Sequence, residues 1–167
     1  MTTAELLEDA FGRIREVVHQ VTSGLTTEQL GFRPQPEANS IAWLIWHLTR
    51  IADDHIADVA GTEQVWTRGW ADRFGLPFGD ADTGYGHGSE AVGAVRATTD
   101  LLTGYHDAVW EQSVNFVRKL TDADLDRVVD ERWDPPVTLG VRLVSVIADD
   151  LQHAGQAAYL RGLISGG

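Results

Sequence analysis

The sequence contains no cysteine. This absence excludes a disulfide framework and any metal site built from cysteine thiolates. A bound metal would therefore have to be held by histidine nitrogen or by aspartate or glutamate oxygen. Any thiol that takes part in a reaction must come from another molecule. The absence also fits a protein of the reducing cytoplasm, and we expect a cytoplasmic location.

Basic residues are also scarce. The chain has 13 lysine and arginine residues against 25 aspartate and glutamate residues, which gives a formal net charge of −12. No basic run occurs anywhere in the sequence. Because nucleic acids and anionic membranes bind to clustered positive charge, we expect neither as a partner. The simplest interpretation of the acidity is solubility.

Long apolar runs are missing as well. No stretch approaches the roughly 20 residues that are needed to cross a bilayer. The N-terminus has early acidic residues and lacks the apolar core of a secretion signal. A length of 167 residues suits one domain with a sizeable hydrophobic core. We therefore expect residues 1–167 to form a single domain.

Four segments carry apolar residues at helical spacing, which predicts an all-α fold. Thr2 and Glu5 have the spacing of a capping box, and Ser40 is a suitable N-cap for the second helix. The predicted helices are Ala4–Ser23, Ile41–Ala60, a third that starts near Ser89 or Thr99 and ends near Lys119, and a fourth that runs from its N-cap Thr138 to about Leu163. No strand pattern is present. The sequence predicts a four-helix bundle.

The connectors are long enough to permit crossovers, so a simple up-and-down order is not assumed. The segment Gly61–Gly88, between the second and third helices, lacks helical periodicity and is rich in glycine, aspartate and aromatic residues. Long loops of this kind are often functional, and we expect this one to cover a site. In the fourth helix, the expected core positions are Val141, Val144, Ile147, Leu151 and Ala158.

Asp149 and His153 are four residues apart, which places both side chains on one face of the fourth helix. Alone, such a pair more often makes a local hydrogen bond than a metal site. His47 lies in an apolar stretch, where an unpaired imidazole is costly. It is either a core residue or a third ligand, because bundles build metal sites from facing helices. His55 lies about 12 Å further along the helix axis, too far to join the same ion.

Four further residues near these positions have simpler interpretations. Asp150 is expected to be a solvated acid, and Gln156 either lies on the surface or hydrogen-bonds to a ligand histidine. His87 is expected in the loop near the site entrance, and His106 on the third helix is a surface or core residue. Both tryptophans of the second helix are expected to pack in the core.

The segments Asn39–Leu48 (Asn-Ser-Ile-Ala-Trp-Leu-Ile-Trp-His-Leu) and Asp149–Gln156 (Asp-Asp-Leu-Gln-His-Ala-Gly-Gln) resemble the two signature regions of the DinB-like superfamily. Members are four-helix bundles whose metal is held by one histidine of helix 2 and a pair four residues apart on the last helix. The resemblance therefore implies His47, Asp149 and His153 as metal ligands. The pair is commonly two histidines, but mycothiol-dependent maleylpyruvate isomerases are similar to this chain in having an acid first.

The segments Val65–Thr67 and Thr83–His87 are similar to those of actinobacterial DinB-like proteins regarded as mycothiol S-transferases. The resemblance implies an enzyme of detoxification that conjugates a small thiol, mycothiol, to an electrophile. Two histidines and one carboxylate leave open coordination positions, as in catalytic zinc sites and in iron(II) sites. We expect zinc, with nickel or iron as alternatives.

Other functions remain open at this point. The same metal could serve a thiol-dependent isomerase, or it could activate water in a hydrolase. A metal-binding bundle without turnover is a third alternative, and a homodimer is compatible with each of them. No catalytic residue beyond the three ligands is identified.

Overall fold

In a computed structural model, which describes residues 1–165, the chain is mostly helical. Four long helices carry most of the core, and shorter ones lie between them. The long helices are α1 (Thr3–Thr22), α3 (Ile41–Ala60), α6 (Thr99–Val117) and α7 (Leu139–Ser165), and the short ones are α2 (Thr27–Leu30), α4 (Ala71–Phe74) and α5 (Ser89–Ala94). The predicted all-α class is confirmed. None of the helices in residues 1–165 is both long and apolar enough to cross a membrane.

The helix starts follow from side chains that satisfy free backbone N–H groups. Thr2 and Glu5 form the predicted capping box at the start of α1. The Ser40 hydroxyl accepts a hydrogen bond of 3.1 Å from the backbone N–H of Trp43 at the start of α3. The two alternative starts of the third predicted helix both exist, because α5 begins at Ser89 and α6 at Thr99.

The segment Gly61–Gly88 is not wholly irregular, contrary to the sequence-based interpretation. It contains a turn, Trp66–Trp70, with non-helical backbone angles at Arg68 and Gly69, and this turn leads directly into α4. Trp66 and Phe74 are both buried, and their rings pack 5.2 Å apart. The aromatic residues thus pack this long connector onto the main core, against Trp46 of α3 and Tyr105 of α6.

A two-stranded antiparallel sheet lies in the connector before α7, where no strand was expected. It follows a 3₁₀ turn, Asp122–Asp126, and pairs β1 (Val128–Asp130) with β2 (Val137–Thr138). Strands of three and two residues are too short to show an alternating pattern in the sequence, because that pattern needs four residues or more.

The helix directions require crossovers. Glu8 pairs with Arg118 and Arg15 with Asp107, so α1 and α6 run antiparallel. Arg161 donates a hydrogen bond of 3.0 Å to the carbonyl of Val21, which places the C-terminal ends of α1 and α7 together. Each of α1 and α3 packs against both α6 and α7.

The buried face of α7 differs from the predicted one. Val141, Val144 and Leu151 are exposed. Ala158 is exposed too, and Ile147 is only partly buried. The residues that face the core are Leu139, Leu143, Val146, Asp150, Ala154, Ala157 and Leu160. The helix carries apolar residues on two faces, and the buried one includes an aspartate, so hydrophobicity alone selected the wrong face.

Candidate metal centre

The antiparallel packing of α3 and α7 brings three of the sequence-predicted residues together. His47 lies near the middle of α3, and Asp149 and His153 lie one turn apart on α7. One potential ligand atom from each side chain lies within 4.8 Å of the other two. The geometry therefore suits a single ion held between two helices.

The orientation of His47 is fixed by its surroundings. Its Nδ1 lies 2.5 Å from the carbonyl oxygen of Thr83, so Nδ1 carries the proton and donates it. The imidazole also stacks on the Trp43 ring at a centroid distance of 4.6 Å and an angle of 14°. Burial lowers the pKa of His47, which favours the neutral imidazole. Its Nε2 is then a lone-pair donor, as metal ligation requires.

The two α7 residues complete the group. Nε2 of His153 lies 3.6 Å from Oδ1 of Asp149, and Nδ1 of His153 lies 3.3 Å from Oε1 of Gln156. Gln156 thus takes the hydrogen-bonding position that was one of its two predicted roles. Oδ2 of Asp149 is buried and has no hydrogen-bond partner among residues 1–165. A buried carboxylate oxygen without a partner is costly, and a cation would offset that cost. The donor set therefore fits a divalent ion.

The end of the long connector contacts this group directly. Thr83 supplies the carbonyl that holds His47, and the next residue, Gly84, has a φ of +90°. A Cβ at position 84 would lie 2.9 Å from Nδ1 of His47 and 2.9 Å from the Trp46 ring. Both the backbone angle and the close approach thus require glycine. The C-terminal end of the segment Gly61–Gly88 therefore lies against His47, and coverage of the mouth of the site by the segment stays a prediction.

With the fold and the geometry of the group established, comparison with known proteins gives the family. The mycothiol S-transferase family model matches residues 6–166. The chain belongs to the mycothiol S-transferase family, within the DinB-like superfamily. The resemblance deduced from the two signature segments is thereby confirmed.

One solved structure is similar over the whole length of this mycothiol S-transferase family member. It is the crystal structure of a conserved protein from Enterococcus faecalis. The two chains are 30% identical, the match covers 100% of this chain and 99% of the other, and the TM-score is 0.92. No curated protein matches the chain.

The connector is anchored by a buried arginine that the sequence analysis missed. Arg50, one turn after His47 in α3, is fully buried. Its guanidinium donates hydrogen bonds to the carbonyls of Asp80 (3.2 Å) and Asp82 (3.1 Å) and to the side chain of Gln64 (2.9 Å). Arg50 thereby fixes the backbone immediately before Thr83. The available signal was a charged residue on an otherwise apolar helix.

Asp53 is the anionic counterpart of Arg50, and their closest atoms are 3.7 Å apart. Its carboxylate accepts hydrogen bonds of 2.8 Å from the backbone N–H groups of Val65 and Trp66 and from the Tyr105 hydroxyl. Burial raises the pKa of Asp53, although these donors oppose that effect. Both ends of the connector are therefore held by one charged pair on α3.

His87 lies beside the group, as expected, but both of its ring nitrogens are occupied. Nδ1 accepts a hydrogen bond of 3.1 Å from Nε1 of Trp43, and Nε2 lies 3.0 Å from Oδ1 of Asp82. Its ring also stacks on Trp46 at 5.8 Å. Because Trp43 in turn stacks on His47, His87 holds in place the indole ring that packs against His47. The two tryptophans are buried, as predicted.

Three other residues were considered from the sequence. His55 lies outside the group and faces Arg142 at 2.9 Å, in agreement with the expected separation. His106 is a core residue that contacts Thr49, and burial lowers its pKa to about 4. The expectation for Asp150 was wrong, because its side chain is buried and burial raises its pKa well above the usual range. Its place among the core positions of α7 explains the burial.

Proposed function

We propose that this chain is a metal-dependent thiol S-transferase that conjugates mycothiol to an electrophile. The observation that supports this most strongly is the convergence of His47, Asp149 and His153 in a member of the mycothiol S-transferase family. Three protein ligands leave coordination positions for a substrate, whereas a structural site is normally closed by protein. We further infer a four-helix bundle of DinB-like type, a single domain over residues 1–167 and a cytoplasmic location.

The charge of the ligand set supports thiol chemistry. A free thiol has a pKa of about 8.5, and only its thiolate is reactive. A bound divalent ion deprotonates a coordinating thiol. The two histidines are neutral as ligands, so Asp149 supplies the only negative charge. With a divalent ion bound, these three ligands would therefore leave a net positive charge at the site, which would hold an incoming thiolate.

The residues around the ligands keep the site in place. The Thr83 carbonyl orients Nε2 of His47, and Gln156 orients His153. Such hydrogen bonds to metal-binding histidines fix the ring and raise its basicity. The buried Trp43 ring shields one face of His47 from water. The protein thus contributes a rigid and partly dry ligand set, and zinc is the ion we expect, with nickel or iron as alternatives.

The function is tested by metal analysis and a conjugation assay. Protein purified without chelator should contain about one divalent ion per chain, and the His47→Ala variant should contain none. Metal-loaded protein should accelerate the conjugation of mycothiol to a chromogenic electrophile, and both the metal-free protein and His47→Ala should not. His19→Ala is a matched control, because His19 lies on α1 and pairs with Asp107 instead.

The outcomes separate the alternatives. If metal-loaded protein, metal-free protein, His47→Ala and His19→Ala all react at the uncatalysed rate, the result would indicate a metal-binding protein without turnover. Product formation that requires metal but no thiol would instead indicate a hydrolase. Isomerisation of a substrate with recovery of free mycothiol would indicate an isomerase.

A further inference from the structure

The outward side of α7 carries a continuous stripe of exposed residues that are apolar or glycine. The residues follow each other at alternating steps of three and four from position 141 to position 162, which aligns them along one line of the helix. The members with a side chain are Val141, Val144, Ala148, Leu151 and Ala158. The same steps place glycine at positions 155 and 162. These seven residues are called the outer stripe below.

The charged residues of α7 all lie away from the outer stripe. Arg142 and Asp149 face the groove with α3, Asp150 is buried, and Arg161 reaches the end of α1. A solvated helix face normally carries charged residues. This chain has 25 acidic and 13 basic residues, yet none of them lies on the outer stripe, which is roughly 30 Å long. The outer stripe therefore has the composition of an interface.

The fold of a single chain does not explain Gly155 and Gly162. Both lie inside α7, where glycine is less favourable than alanine. Neither has a positive φ, and an added Cβ would meet no atom within 4 Å at either position. Gly84 differs, because its φ is positive and a Cβ there would collide with His47. Two helical glycines that face open space instead allow another backbone to approach closely.

Side-chain size changes along the outer stripe so that it matches its own reverse. The larger side chains of Val141 and Val144 lie at one end, Ala158 and Gly162 lie at the other, and Leu151 is at the midpoint. In an antiparallel pair with a two-fold axis at Leu151, Val141 faces Gly162. Val144 then faces Ala158, and the symmetry makes each contact occur twice. A parallel pair would instead place glycine against glycine and leave a gap at that end.

A membrane surface fits the outer stripe less well than a second copy does. Helices that lie on membranes have lysine and arginine beside the apolar face, whereas the exposed neighbours here are Ser145, Gln152 and Tyr159. The net charge of −12 also opposes an anionic surface. Two copies of an acidic chain repel each other least where both are uncharged, and the outer stripe meets that condition.

We propose that two copies of this chain associate through the outer stripes of α7, packed antiparallel about a two-fold axis at Leu151. One helix from each copy gives an interface near the lower end of the range for specific assemblies, so the dissociation constant should be micromolar. At protein concentrations below that range, the monomer should dominate. Substitutions of the outer stripe should then hardly change its stability. The pairing leaves the groove between α3 and α7 open and does not depend on the proposed function.

Sedimentation equilibrium over micromolar to submillimolar concentrations tests the association. The wild type should change from monomer to dimer as its concentration rises. Leu151→Glu should remain monomeric, because it places two carboxylates against each other at the axis. Gly155→Leu should weaken association at least about tenfold, because its side chain separates the helices. Gly12→Leu is the matched control, since Gly12 of α1 also has no atom within 4 Å of an added Cβ.

The variants should keep the helical circular dichroism of the wild type, which separates loss of association from loss of the fold. A wild type that stays monomeric at every concentration would overturn the proposal. Association that is unchanged in both Leu151→Glu and Gly155→Leu would overturn it too, because the copies would then meet through another surface.

Single cysteines test the direction of the pairing, since the chain has no cysteine of its own. With a short bifunctional thiol reagent, Leu151→Cys should cross-link to its own copy. Val141→Cys alone should not, whereas a mixture of Val141→Cys and Gly162→Cys should give a cross-linked pair. Cross-linking of Val141→Cys to itself, with none between the two variants in the mixture, would show parallel pairing and overturn the proposed arrangement.

Discussion

Two clusters of polar side chains lie one turn apart on α3, and they differ in how their atoms are satisfied. In the Arg50–Asp53 cluster, the guanidinium and carboxylate groups hydrogen-bond to backbone and side-chain partners from the connector and α6. In the His47–Asp149–His153 group, Oδ2 of Asp149 is buried without a partner in residues 1–165. Buried polar groups with all partners present hold a fold together, whereas an unpaired carboxylate oxygen beside two histidine side chains fits a cation.

The largest effect is expected for Arg50→Ala. The change leaves Asp53 buried without its cation and frees the carbonyls of Asp80 and Asp82. Loss of one partner of a buried ion pair typically costs about 3–5 kcal/mol. Urea unfolding of metal-free protein measures this loss. A loss below about 1 kcal/mol would show that the cluster is not what anchors the connector.

Gly84→Ala should cost less but should affect the ligand group. The left-handed backbone angle and the contact with His47 together should reduce stability by about 1–3 kcal/mol. The metal affinity should fall as well, because the new methyl group displaces the imidazole. Gly86→Ala is the matched control, since Gly86 has a φ of +78° but no atom within 4 Å of an added Cβ. Equal metal affinities in the two variants would contradict the assigned contact.

His106 provides a comparison with the two histidines of the candidate metal centre, because it is buried in the core, where burial lowers its pKa to about 4. In the unfolded chain its pKa should be about 6.5. The unfolded state therefore binds a proton that the folded state does not, and stability should fall as the pH falls from about 6.5 to 4. His106→Asn should remove this part of the pH dependence. Equal losses between pH 7 and pH 5 in both proteins, measured by urea unfolding, would refute the assignment.

His153→Ala should abolish metal binding. It should change the free energy of unfolding of the metal-free protein by less than about 1 kcal/mol, since the only side-chain hydrogen bond described for His153 is with Gln156 on the same helix. Addition of zinc should raise the unfolding midpoint of the wild type only, because a ligand that binds the folded state stabilises it. Thermal unfolding with and without zinc tests both statements. If the metal-free His153→Ala variant were unfolded, the result would show that His153 is needed for the fold itself.

The smallest effect is expected for Val144→Ser on the exposed face of α7. Its side chain is 64% exposed, and such surface changes usually stay within about 0.5 kcal/mol. Val146→Ser is the matched control, because Val146 is 1% exposed and should cost several times more. Similar losses for the two variants would mean that the outer face of α7 is covered in solution.

Local signals in the sequence predicted the parts of the fold that depend on a few neighbouring residues. The caps at Thr2 and Ser40 were predicted correctly because each follows from helix geometry within one segment. The spacing of Asp149 and His153 was informative for the same reason. The third member of the group, His47, needed the family resemblance, because nothing local shows that α3 packs against α7.

The errors share one cause, which is that burial depends on partners distant in sequence. The core face of α7 was misassigned because Val144 and Val146 are equally apolar, and only packing against α1 and α3 decides between them. Arg50 was not recognised because its partners lie about 30 residues further along the chain. Periodicity predicts an apolar residue at each core position of α7, but the core position 150 holds an aspartate.

The separation of the three candidate ligands along the chain has a consequence for how the protein matures. His47 precedes Asp149 and His153 by about 100 residues, and they meet only when α7 has packed against α3. Closing a loop of that length is entropically costly before native contacts form. A growing chain on the ribosome holds one of the three candidate ligands until α7 has been synthesised. Uptake of the proposed ion should therefore follow the packing of α7 against α3 and mark molecules in which these two helices have met.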